Sequence, residues 1–138
     1  MTETFVLDSF AVLALLGREP GSQKVADLLR KAQDDGTRVL MTWVNAGEVA
    51  YIVERRWGAE RLYAALAVIE ATALEIVSVE RELALMAAHI KAEHAVAYAD
   101  AFAVALAEHR AAKLVTGDPE FKRLEGILDI HWLPQREP

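Results

Sequence analysis

Cysteine is missing altogether from the 138 residues of this chain. That excludes disulfide staples, a thiol nucleophile and cysteine-ligated zinc, and it is compatible with a reducing compartment. Proline and glycine are sparse, at 4 and 7 residues. No low-complexity linker divides the chain, and no repeat with a period of roughly 20 to 50 residues is visible. Basic residues are the minority: 15 Lys and Arg stand against 21 Asp and Glu, for a formal net charge of -6. As a whole such a molecule repels a nucleic-acid backbone. A nonspecific coating protein is therefore excluded, whereas an acidic pocket neutralised locally by cations is not. Long apolar runs are also lacking. Asp8 interrupts the first apolar stretch before it could span a bilayer, and Met1-Thr2-Glu3-Thr4 lacks the basic start of a secretory signal. The expectation is a soluble cytoplasmic protein, with one domain over residues 1–134 and a flexible tail over 135–138.

What is present is ample apolar material, 54% of the residues, enough for a real core. It is distributed as short apolar runs alternating with segments of helical spacing. Phe5-Val6-Leu7 reads as a buried strand, and Asp8 leads into a helix from Ser9. After the turn Gly17–Ser22, with Ser22 as the expected cap, a helix covers roughly Gln23 to Gln33 and ends at Asp34-Asp35-Gly36. Arg38–Thr42 is a second strand, followed by helices from Trp43 to Arg56 and from Ala59 to Ala71 on either side of Gly58. Glu75–Val79 is a third strand. Residues 80–109 fit either two helices or one continuous one, because His94 and Ala95 do not themselves specify a break. Ala112–Thr116 and Ile127–Trp132 complete the strands, with Asp118-Pro119 between them suited to starting a short helix. This alternation predicts an α/β fold, a three-layer α/β/α sandwich around a central, mainly parallel sheet of four to five short strands.

Parallel strands deliver their carboxyl ends to one edge, where open α/β sheets place their ligands. Asp8, Glu48 and Asp118 all follow strands at that edge. Asp100 stands in a strongly apolar helix from Val96 to Ala107, where an unpartnered acid is costly. Glu48 shares a helix face with Asn45 and Ile52. Each acid also has a plain structural reading: a helix cap for Asp8 and Asp118, a solvent-facing charge for Glu48, a buried ion pair for Asp100. Gathered together, however, four carboxylates repel by about 4 kcal/mol per pair at about 4 Å and an effective dielectric near 20. Such a cluster needs cations or raised pKa values. All-oxygen ligands suit Mg²⁺, or Mn²⁺ in its place, and a site of this kind suits phosphodiester hydrolysis. No serine, cysteine or histidine nucleophile is indicated, and His89, His94, His109 and His131 have no metal-ligand spacing.

Val6-Leu7-Asp8-Ser9, Asn45-Ala46-Gly47-Glu48-Val49, Tyr98-Ala99-Asp100-Ala101-Phe102 and Leu114-Val115-Thr116-Gly117-Asp118-Pro119-Glu120-Phe121 occur in this order over nearly the whole chain. In that combination the sequence resembles the PIN-domain ribonucleases, particularly the VapC-like toxins of VapBC-type toxin-antitoxin pairs. The resemblance implies catalytic and metal-binding roles for Asp8, Glu48, Asp100 and Asp118, with Ser9, Asn45 and Thr116 as supporting polar positions. It further implies divalent-metal-dependent cleavage of RNA, a cognate antitoxin protein and a homodimer. Arg55, Arg56, Arg61 and Lys91 are candidates for contact with an RNA backbone. Tyr51, Trp57, Tyr63 and Phe102 suit either packing or base contact. The competing expectations are a noncatalytic PIN-like interaction module and a phosphatase-like α/β enzyme, the latter lacking a matching nucleophilic-aspartate motif.

Overall fold

The computed structural model describes residues 3–134, so the expected tail at 135–138 lies outside the described residues. Five strands, β1 (Thr4–Leu7), β2 (Arg38–Thr42), β3 (Glu75–Val77), β4 (Lys113–Thr116) and β5 (Ile130–Trp132), form one sheet in the order β3-β2-β1-β4-β5. Every pairing is parallel. The helices are α1 (Ser9–Leu16), α2 (Ser22–Asp35), α3 (Trp43–Trp57), α4 (Ala59–Glu70), α5 (Arg81–Glu93) and α6 (Tyr98–His109), with a 3-10 helix at Pro119–Leu124.

Side chains alternate across a strand, and here that alternation fills two separate cores. Phe5, Leu7, Val39, Met41 and Val115 pack with α1 to α4, while Val6, Leu40 and Leu114 pack with α5, α6 and the 3-10 helix. The three layers expected from the sequence are therefore present. Complete burial of Leu7, Leu40 and Leu114 contributes about 1.5 to 3 kcal/mol for each side chain. Among the described residues no helix is long and apolar enough to cross a membrane.

The structure decides two points that the sequence left open or misplaced. Residues 80–109 are two helices: His94 takes extended backbone (φ -134°, ψ 147°) and α6 begins only at Tyr98. The connector is held by the Lys91 ammonium, which donates to the Val96 carbonyl at 2.7 Å, and by Arg123, which donates to the Ala95 carbonyl at 2.8 Å. Lys91 is thereby engaged within the fold. Ser22, expected as a cap, is instead the first residue of α2, and Gly21 precedes it at φ 98° with no side-chain cap. That left-handed turn requires a glycine, so entry to α2 is set by backbone freedom and not by a hydroxyl.

Strand order places β1 at the centre. The chain first builds outward through β2 and β3, then crosses to add β4 and β5 on the other side. The reversal opens a crevice at the carboxyl ends of β1 and β4, the position at which doubly wound sheets bind ligands.

Candidate active site

Asp8 emerges at that crevice. It is the N-cap of α1, its Oδ1 accepting the Ala11 N–H at 2.9 Å. Its Oδ2 accepts the Thr116 hydroxyl at 2.5 Å, a bond that ties the end of β1 to the end of β4. Thr116 Oγ1 accepts the Asp118 N–H at 3.0 Å in turn. One hydroxyl therefore links Asp8 to the backbone of Asp118. Burial pushes the Asp8 carboxyl up to about 7; the hydrogen bonds from Thr116 and Ala11 oppose this, and the charges of Asp100 and Asp118 add to it. Each Asp8 oxygen keeps a second acceptor site, so capping and ligation are compatible roles.

Ser9, the next residue, donates its hydroxyl to Glu48 Oε1 and so joins α1 to α3. The start of α3 is fixed by two fully buried polar residues, Thr42 and Asn45. Thr42 caps the helix: its Oγ1 accepts the Asn45 N–H at 3.0 Å and donates to Asn45 Oδ1 at 2.6 Å. The Asn45 amide then donates to the Ala99 carbonyl at 3.0 Å. This bond pins α3 to the first turn of α6, one residue before Asp100.

Asp100 is half-buried there, and its pKa rises to about 7, first through burial and then through the charges of Glu48, Asp118 and Glu120. Asp118 caps the 3-10 helix through Oδ1, which accepts the Glu120 N–H at 2.9 Å. Carboxylate oxygens of Asp100, Asp118 and Glu120 all lie within 4.8 Å of one another. This all-carboxylate donor set fits a hard divalent cation. Among the described residues, the charged groups that shift Asp100 are all acids.

The structure thus brings Asp100 and Asp118 together. It sets Asp8 and Glu48 close enough to repel Asp100, although neither contributes an oxygen to the tight group. Ser9, Asn45 and Thr116 each hydrogen-bond to a site acid, its backbone or its neighbour. Phe102, considered above for packing or base contact, is a buried core residue. Two participants escaped the sequence reading. Glu120 was given no role of its own within its motif, yet it lies two residues after a capping aspartate and its carboxylate joins those of Asp100 and Asp118. Thr42 read as an ordinary β-branched strand residue, although a threonine ending a strand before a helix is a natural cap.

Gly117 completes the floor. A Cβ there would stand 2.4 Å from the Phe10 ring, so the aromatic side chain closes directly on the backbone between Thr116 and Asp118.

The profile of the PIN domain family matches residues 5–127. Among solved structures, the chain is similar to VapBC2 from Rickettsia felis bound to a promoter DNA fragment, with TM-score 0.76, 18% identity, and 95% of this chain and 99% of that chain covered. It is also similar to VapBC from Salmonella typhimurium bound to DNA, with TM-score 0.71, 21% identity and coverage of 95% and 98%. A third is VapC20 from Mycobacterium tuberculosis, described as a sarcin-ricin loop cleaving toxin, with TM-score 0.68, 18% identity and coverage of 87% and 94%. At these identities the likeness establishes a shared fold. No curated protein sequence matches the chain.

Proposed function

The chain belongs to the PIN-domain family, and from that premise we propose that it is a divalent-metal-dependent endoribonuclease, the toxin of a type II toxin-antitoxin pair. The observation that carries this reading is the convergence of Asp100, Asp118 and Glu120 oxygens within 4.8 Å, beside a buried Asp8 at the sheet's switch point. The toxin role and the antitoxin partner rest on the VapBC proteins that share the fold. A homodimer agrees with the exposed apolar side chains Tyr51, Tyr63, Leu85 and Tyr98.

In this reading Asp100, Asp118 and Glu120 hold Mg²⁺ or Mn²⁺, with Asp8 and Glu48 completing the acidic surround. Bound there, the ion supplies positive charge to a phosphodiester and a water nucleophile usable at neutral pH. The chain's own residues supply the geometry. Thr116 aims Asp8, Ser9 aims Glu48, and Asn45 fixes the turn that carries Asp100. A carboxylate held by a second hydrogen-bonding shell retains its orientation as a ligand.

The direct test is purified, antitoxin-free protein incubated with structured RNA and Mg²⁺ or Mn²⁺. Cleavage that stops with EDTA, and no release of phosphate from a phosphomonoester, is the expected result. Phosphomonoester turnover without RNA cleavage would instead favour the phosphatase reading, and neither activity would favour a noncatalytic module.

A further inference from the structure

Between α1 and the end of α3 lies a hollow of about 200 Å³. Phe10, Leu13, Ala14 and Pro20 give it apolar walls, Trp57 closes one side, and Arg56 and Glu19 are its charged members. Trp57 remains 47% exposed, so its ring is available from solvent. Arg56 and its neighbour Arg55 form the basic last turn of α3, and Arg55 stacks over the Tyr51 ring at 5.3 Å. In a chain of net charge -6 this is a local concentration of cations and exposed aromatic rings.

The hollow is connected to the acidic centre through Phe10, which lines it while pressing on Gly117 between Thr116 and Asp118. Arg56 lies eight residues beyond Glu48 on α3, about 12 Å along the axis at 1.5 Å per residue. A group seated there is therefore not the one undergoing reaction at the carboxylates but a neighbour of it. A ring-sized apolar slot closed by an exposed indole, with a guanidinium at its edge, matches a nucleotide, whose base stacks on aromatic rings and whose phosphate pairs with a cation.

Resting on the ribonuclease reading, we propose that this hollow receives one unstacked base of single-stranded RNA flanking the scissile phosphate, stacked on Trp57 with Arg56 beside its backbone. Trp57 is then a specificity and positioning contact that acts on substrate binding rather than on the bond-breaking step.

The test compares wild type, Trp57→Ala and Trp57→Phe on a single-stranded RNA and on copies carrying one abasic site at successive positions. Trp57→Ala should raise KM about tenfold or more, in line with the strength of base–aromatic stacking, with kcat nearly unchanged; Trp57→Phe, which keeps a ring, should restore KM. One abasic position should impose the same loss on wild type and none on Trp57→Ala. Equal KM for all three proteins, or abasic losses that add to the Trp57→Ala loss, would overturn the proposal and leave the hollow to an apolar protein segment. If wild type cleaves no RNA, the ribonuclease reading fails separately. Fluorescence anisotropy of the labelled RNA with Mn²⁺ then decides the subsite: weaker retention by Trp57→Ala than by Trp57→Phe supports it, and equal retention or none overturns it.

Discussion

Replacing Asp100 with asparagine is expected to lower metal-dependent RNA cleavage by at least about a hundredfold while leaving the protein folded. Asparagine keeps the size of the side chain but removes one of three anionic oxygens gathered within 4.8 Å. It also removes the repulsion that Asp100 shares with Glu48, Asp118 and Glu120. In metal-free solution the variant should therefore gain on wild type as the pH rises from about 4 to about 7, and melt no lower than it near neutral pH. Loss of cleavage with retained or raised melting temperature separates a damaged site from a damaged fold. Cleavage by the variant at the wild-type rate would reject Asp100 as a ligand. Asp8→Asn is a less clean experiment. An asparagine amide nitrogen facing Thr116 cannot accept the hydroxyl proton that Asp8 Oδ2 accepts, and Thr116 already accepts from the Asp118 N–H.

Without metal, the folded protein should lose stability as the pH rises from about 4 to about 7. The carboxyls of Asp8 and Asp100 are both raised from 3.8 to about 7, so the native state binds more protons than the unfolded chain in that interval. Stability conferred by the protonated groups is fully present below their unfolded pKa and disappears as pH climbs through the folded one. For the fully buried Asp8 a shift of about three units corresponds to about 4 kcal/mol at 1.36 kcal/mol per unit. Asp100, partly open to solvent, adds a smaller amount. Asp35 and Glu75 titrate in the opposite sense. Asp35 is held down by hydrogen bonds from Thr37, and Glu75 by the Arg38 guanidinium. Both are exposed, and their contribution fades only as the pH falls through the carboxylate range. Denaturant unfolding in EDTA at about pH 5 and about pH 8 should therefore show the higher free energy at the lower pH. A flat profile, or one rising toward pH 8, would contradict the burial and mutual repulsion ascribed to these acids.

The parts of this design that could be read from the sequence are those encoded locally. The apolar run before Asp8, the Asp118-Pro119 helix start and the alternation of short strands with helices each specify their own conformation, and together they specified the layers. Bonds between distant segments left no local trace. Ser9 meets Glu48 across 39 positions and Thr116 meets Asp8 across 108, so their polar identity was legible while their partners were not. The break at His94 depends on Lys91 and Arg123 holding connector carbonyls, which no helical pattern in 80–109 records. Glu120 was hidden for a different reason: exposure makes an acid look like solvated charge, and only its placement beside Asp100 and Asp118 distinguishes it.

The central claim is that these separated acids fold into one cation-holding pocket, and a Mn²⁺ titration of antitoxin-free protein, followed by calorimetry, tests it most directly. The account predicts saturable uptake by wild type accompanied by proton release near pH 7, as Asp8 and Asp100 give up their protons, and uptake that is strongly weakened in Asp100→Asn. No uptake by wild type, with or without RNA present, or equal uptake by the variant, would contradict it.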